Sequence, residues 1–172
     1  MKIFFLIGFM GSGKTHWGKI WSSALNIPFV DLDDAIETKE GMAINSIFAE
    51  KGETYFRKIE TAVLHEIANG TGDVLISCGG GTPCFNDNME WMNAVGTTIY
   101  LKSSPATLAQ RLHKEKGKRP LIKDVEENNL ESVIAEKLSQ REFYYNQATV
   151  TLPEENINDQ SLISLYQNNT NA

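Results

Sequence analysis

Gly8-Phe9-Met10-Gly11-Ser12-Gly13-Lys14-Thr15 follows an apolar run, Ile3 to Ile7, and opens a helical segment from Lys14 to Leu25. A G-x-x-x-x-G-K-[ST] pattern between a strand and a helix is a phosphate-binding loop in its proper context. The glycines let successive N–H groups of Gly11, Ser12 and Gly13 curl round a polyphosphate, and the helix adds its positive N-terminal end. Lys14 supplies a point charge for the β- and γ-phosphates, and the Thr15 hydroxyl is a hard oxygen ligand for Mg²⁺. The stretch predicts a bound nucleoside triphosphate and leaves open what receives the phosphate.

Outward from it, Ile3 to Ile7 reads as a central strand covered on both faces. Asn26 and Pro28 end the first helix, in which Trp17 and Trp21, four apart, pack one face against the sheet. Phe29-Val30 is a short strand leading into Asp31-Leu32-Asp33-Asp34, and carboxylates just past a strand's carboxyl end lie where open α/β sheets bind ligands. A short helix runs to about Glu40 and a further turn or two from Ala43 to Glu50, with Gly52 as punctuation. From Glu53 to Asn69 the positions Phe56, Ile59, Val63, Leu64 and Ile67 predict an amphipathic helix with Arg57 off its apolar stripe. A cation near a helix N-terminus opposes the dipole, so Arg57 is either solvated or placed for an anion.

Val74 to Ser77 is a third buried strand, followed by Cys78-Gly79-Gly80-Gly81. Three glycines in a row are entropically costly, explained by flexibility or by close backbone approach to a ligand. Asp87 with Glu90 three later starts a helix ending near Gly96, and Thr97 to Leu101 is a fourth strand. Ser104-Pro105 caps a helix carrying Leu108, Arg111 and Leu112. The charged stretch from His113 to about Glu127, around Arg119-Pro120-Leu121, is long enough to predict a lid. A helix from Leu130 runs towards Arg141 and Tyr144, Ala148 to Leu152 is a fifth strand, Asn158 to Gln167 a terminal helix, and Asn168 to Ala172 a frayed end. Alternating strands and helices predict an α/β, three-layer α/β/α domain over residues 1–172, with a parallel sheet and one ligand edge.

With 172 residues, a net charge of −6 and a pI near 5.1, the chain has no basic face for nucleic acid. Cys78 and Cys84 form neither a disulfide framework nor a zinc motif, which favours free thiols and a cytoplasmic location. The N-terminal apolar run ends in the phosphate loop, so it is read as a strand and not a signal peptide; no membrane span and a monomer are expected. His16, His65 and His113 lack metal spacing. No guanine-reading Asn-Lys-x-Asp occurs, and the chain is too short for a motor domain. What remains suits a small hydroxylated anion: Asp33 to hold a hydroxyl, Arg57 and Arg141 for a carboxylate, and Gly79 to Gly81 for close contact. Asp31 is placed to hold the water shell of Mg²⁺ opposite Thr15.

Five ordered elements resemble shikimate kinase: Gly8 to Thr15, Asp31-Leu32-Asp33, Phe56-Arg57 with Glu60, Gly79-Gly80-Gly81, and Arg119-Pro120-Leu121 followed by Arg141. The resemblance spans the first strand to about Leu152. It implies a small, nucleoside-monophosphate-kinase-like P-loop fold with strand order 2-3-1-4-5 and a mobile lid over about 113–127. It further implies transfer of the ATP γ-phosphoryl group to the 3-hydroxyl of shikimate, in aromatic amino-acid biosynthesis. Lys14 and Thr15 then serve ATP and Mg²⁺, and Asp31 supports the metal. Asp33, Arg57, Gly80 and Arg141 bind shikimate, Phe48 and Phe56 line its pocket, Arg111 lies along adenine, and Arg119 is the lid cation. The chain departs from the family at Glu142-Phe143-Tyr144-Tyr145, where a proline and a leucine often precede the tyrosine, and in a Lys-rich lid. A gluconate-type kinase and a non-catalytic nucleotide-binding regulator are the alternatives.

Overall fold

Five parallel strands hydrogen-bond in the order β2-β3-β1-β4-β5, the order that the resemblance implies. The computed structural model describes residues 1–113, 125–126 and 129–168. The strands are β1 (Ile3–Ile7), β2 (Phe29–Asp31), β3 (Val74–Ser77), β4 (Thr97–Lys102) and β5 (Val150–Pro153). Between and around them run α1 (Lys14–Leu25), α2 (Leu32–Glu40), α3 (Ile44–Ala68), α4 (Asn88–Val95), α5 (Pro105–His113), α6 (Leu130–Tyr145) and α7 (Ser161–Asn168).

Every residue of β1 is buried, as its unbroken apolar run requires of a strand covered on both faces. The pleat divides it: Ile3, Phe5 and Ile7 join the core beneath α3 to α6, while Phe4 and Leu6 join a second core with Trp21 and Leu162 beneath α1 and α7. Trp21 is fully buried, stacks on Trp17 with ring centroids 5.7 Å apart, and donates its indole N–H to the Asn158 carbonyl at 3.0 Å. The tryptophan pair thus packs α1 onto the sheet as its spacing predicts, and also anchors the segment leading into α7.

Helix α3 is broken at Gly52, whose φ of 79° and ψ of 169° leave the helical region. The break coincides with the punctuation expected there. Glu40 of α2 accepts hydrogen bonds from Lys51 at 2.7 Å and Tyr55 at 2.9 Å, residues on either side of it. The Ser104 hydroxyl accepts the Thr107 N–H at 3.1 Å and caps α5 as predicted.

Three expectations need correction. Asp87 precedes α4 but makes no side-chain cap, because its φ of 56° is left-handed, whereas a capping side chain needs an extended backbone. The fifth strand is Val150–Pro153, two residues later at its start than its apolar run suggests. The last helix begins at Ser161, since the Asn158 carboxamide takes the Gln160 N–H at 2.9 Å in a turn of its own. Most of the expected lid, including Arg119-Pro120-Leu121, and residues 169–172 of the expected frayed end lie outside the described residues.

Candidate active site

The site is assembled at the carboxyl ends of β1, β2, β3 and β4. Between β1 and α1 the loop takes positive φ at Gly8, Gly11 and Gly13, and Gly13 caps α1 in the left-handed region. That run of conformations turns consecutive N–H groups towards one anion. The Lys14 side chain is 9% exposed and donates from Nζ to the Gly8 carbonyl at 2.8 Å and the Phe9 carbonyl at 3.0 Å. Its charge is therefore held at the loop rather than extended into solvent.

Asp31 ends β2 and does two things. Its Oδ1 accepts the Asp33 N–H at 3.2 Å and caps α2, while Oδ2 accepts the Thr15 hydroxyl at 2.9 Å. A hydroxyl and a carboxylate this close fit Mg²⁺, which takes one or two protein oxygens and fills its octahedron with water and phosphate. Among the described residues no group of three or more His, Cys, Asp or Glu side chains could hold a metal by itself.

Arg111 of α5 bridges two loops on the other side. Its Nη1 donates to the Gly11 carbonyl at 3.1 Å, and its Nη2 lies 3.8 Å from Glu154 Oε2 just past β5. Burial pushes the Glu154 carboxyl up, but bonds from Thr107 and Ser104 and the charge of Arg111 outweigh it and hold the group below its ordinary value.

The three glycines after β3 lie each against a charged side chain. A Cβ at Gly79 would stand 3.2 Å from Asp33 Oδ1 and from Glu60 Oε1; one at Gly80 would stand 3.1 Å from Arg141 Nη1; one at Gly81 would stand 2.8 Å from both terminal nitrogens of Arg57. None of the three has positive φ. A Cβ at Gly81 would force the Arg57 guanidinium to shift, and one at Gly79 or Gly80 would press on its neighbours, so the run is a place of close approach, in part by the protein's own charged groups. Asp33, Arg57 and Arg141, far apart in sequence, converge on this turn. Phe48 and Phe56 pack together with ring centroids 4.5 Å apart, and the Phe56 ring lies 5.0 Å from the Arg57 guanidinium carbon.

Arg57 is held on all sides. Its Nε and Nη2 donate to Glu53 Oε1 at 3.3 and 3.2 Å, and its Nη1 donates to Glu60 Oε2 at 2.8 Å. Glu60 is 1% exposed, and its other oxygen accepts the Thr82 hydroxyl at 2.6 Å. The expectation that Arg57 would oppose the helix dipole is offset by these two acids. Beyond its place in the family resemblance, Glu60 goes unremarked in the residue pattern, although a signal exists: Phe56, Glu60 and Val63 lie on one helical stripe, where an acid among apolar residues must find a partner.

Arg141 of α6 lies over the Phe9 ring at 5.3 Å, and four residues on the buried Tyr145 hydroxyl donates to the Gly80 carbonyl at 2.6 Å. Burial pushes the Tyr145 phenol up, with Arg141 acting against it. Cys78 is buried and its thiol is likewise pushed up by burial, so it is a poor nucleophile despite adjoining Gly79. The remaining predicted residue, Arg119, is outside the described residues.

The family model for shikimate kinase matches residues 10–168. The shikimate kinase of Parabacteroides distasonis is 49% identical over 155 residues, which cover 90% of this chain and 89% of that protein. The crystal structure of shikimate kinase from Bacteroides thetaiotaomicron superposes with a TM-score of 0.88 at 37% identity, covering 99% of both chains. That of Acinetobacter baumannii shikimate kinase in complex with shikimate gives a TM-score of 0.84 at 32% identity, covering 98% of this chain and 94% of the other.

Proposed function

The chain belongs to the shikimate kinase family and is an ATP-dependent kinase that phosphorylates shikimate, and from that premise we propose how its own residues carry the transfer. Arg57 and Arg141 hold the shikimate carboxylate beside Gly80 and Gly81, Asp33 accepts a hydrogen bond from the attacking 3-hydroxyl, and Phe48 and Phe56 flank the ring. The phosphate loop and Lys14 hold the β- and γ-phosphates, Arg111 lies along adenine, and Thr15 with Asp31 hold Mg²⁺. When bound, Mg²⁺ supplies charge neutralisation between the phosphate oxygens.

One observation supports this reading above the others. A Cβ at Gly80 would lie 3.1 Å from Arg141 Nη1 and also 3.5 Å from the Gly8 carbonyl oxygen and 3.6 Å from the Met10 nitrogen. The anion-holding turn after β3 therefore abuts the phosphate loop with no layer between. A hydroxyl held there is within reach of a γ-phosphate, and alignment is most of what a loose phosphoryl-transfer transition state requires. The attacking oxygen gains a bond to phosphorus as the bridging oxygen of ADP leaves.

By family resemblance, residues 1–172 form one kinase domain in which Arg119 closes a lid over the phosphates and excludes water. A monomer in the cytoplasm belongs to the same reading; both cysteines are free thiols, as a reducing compartment allows. ADP release from ATP and Mg²⁺ tests the function, with shikimate, gluconate and nucleoside monophosphates compared as acceptors. Stimulation by shikimate alone is expected; stimulation by gluconate instead would overturn the acceptor.

A further inference from the structure

Phe85 follows the 3₁₀ turn Thr82–Cys84 and is 38% exposed, yet it belongs to neither hydrophobic core. Its ring lies under the Arg57 guanidinium, with the central carbon 4.1 Å from the ring centroid; the Phe56 ring stands 5.0 Å from the same carbon. An aromatic ring that fills no core and covers a cation instead calls for another reason to be there.

The backbone after Phe85 is arranged to keep it there. Asn86 and Asp87 take φ of 51° and 56°, two consecutive left-handed residues without a glycine. Asn and Asp tolerate that region better than other side chains, but the pair is still unfavourable and persists only where contacts hold it. Those contacts lead back to Arg57: the Asn86 carboxamide donates to the Arg57 carbonyl at 3.0 Å and to the Thr61 hydroxyl at 3.0 Å. From the other end, fully buried Asn88 donates to the Thr82 carbonyl at 3.0 Å, and Thr82 in turn bonds Glu60. The segment 82–88 is thus fastened to α3 around one residue.

We propose that Phe85 is a positioning residue for the acceptor, acting through Arg57. Glu53 and Glu60 occupy three of the five guanidinium N–H groups, and the ring covers a face, so the group has little freedom to turn. Two N–H groups are left for a planar, bidentate carboxylate. The ring also keeps water from Arg57, whose side chain is 14% exposed, and so strengthens each contact it makes with an anion. The inference rests on Arg57 being an acceptor ligand, and the test separates the two.

Steady-state kinetics with both substrates are measured for Phe85→Ala, Phe85→Tyr, Arg57→Ala and the Phe85→Ala/Arg57→Ala pair. Because Phe85 is partly exposed and outside the cores, Phe85→Ala leaves the thermal midpoint close to that of the parent. It raises the shikimate KM about threefold to tenfold, with kcat and the ATP KM within about twofold, the scale of a lost cation–π contact and its shielding. Phe85→Tyr, which keeps the ring, restores the parent KM, and in the Arg57→Ala background Phe85→Ala adds nothing further. An unchanged shikimate KM in Phe85→Ala, with Arg57→Ala raising it, would overturn the inference alone. So would a Phe85→Ala effect that persists in full without Arg57. If Arg57→Ala itself leaves the shikimate KM unchanged, the acceptor assignment falls and the role of Phe85 falls with it.

Discussion

The Tyr145 hydroxyl donates to the Gly80 carbonyl across 65 residues of sequence, at 2.6 Å. This bond joins the end of α6, which carries Arg141, to the turn after β3, and so fixes how closely the Arg141 helix approaches that turn. Tyr145→Phe keeps the ring against Tyr100, 5.0 Å away between centroids, and removes only the hydroxyl. A stability loss of about 1–2 kcal/mol is expected in urea denaturation. A several-fold rise in the shikimate KM without a change in the ATP KM should accompany it; equal effects on both substrates would mean that the bond only supports the fold.

Gly81 offers a cleaner separation of function from stability. Its φ of −93° and ψ of −20° suit any residue, so alanine introduces no backbone strain. The added Cβ would stand 2.8 Å from both Arg57 terminal nitrogens and must displace the guanidinium. Gly81→Ala should raise the shikimate KM by about tenfold or more, the scale of one charge-assisted contact, while thermal unfolding moves little. A parent-like KM would show that Arg57 can hold the carboxylate from another position.

Asp31→Asn keeps the shape of the side chain but removes the negative charge facing Thr15. The Mg²⁺ concentration for half-maximal activity should rise roughly tenfold to a hundredfold, as when the support of a bound metal is lost. Titration of activity against Mg²⁺ at saturating ATP and shikimate measures it, and an unchanged curve would remove Asp31 from the metal site.

His65 gives a pH signature outside the site. Its ring stacks on Trp91 with centroids 3.8 Å apart, its Nε2 is buried without a hydrogen-bond partner, and burial holds its pKa below 6.5. The unfolded chain then takes up the proton more readily than the folded one. The stability associated with neutral His65 is whole above pH 6.5 and declines as the pH falls below that towards the lower folded value. Thermal midpoints between pH 7.5 and 5.5 should fall in the parent and fall less in His65→Gln; parallel curves would place the titrating group elsewhere.

The glycine-rich loop between β1 and α1, the strand ends and the place of Asp31 were legible because each depends on local pattern: glycine spacing, an apolar run, a carboxylate just beyond a strand. Phe85 was not, since its partner lies 28 positions away and nothing around it repeats with a helical or strand period. The failed cap at Asp87 has the same origin. An Asp three residues before a Glu reads as a helix start, but the bonds fastening Asn86 to α3 outweigh that local preference and hold the backbone left-handed. The later start of β5 reflects its edge position, where Ile99 to Lys102 of β4 decide which residues can pair.

The break at Gly52 explains how Phe48 reaches Phe56. Eight residues of unbroken helix would separate two side chains by about 12 Å along the axis, too far for rings to touch. Turning the chain at one glycine lays both rings together, one residue short of Arg57. Phe48 belongs to the segment before the break and Phe56 and Arg57 to the segment after it, so the turn at Gly52 decides how the two rings stand relative to the cation. A residue confined to helical angles at position 52 would straighten α3 and draw the Phe48 ring away from Phe56, so a single backbone conformation governs the aromatic pair that stands beside Arg57.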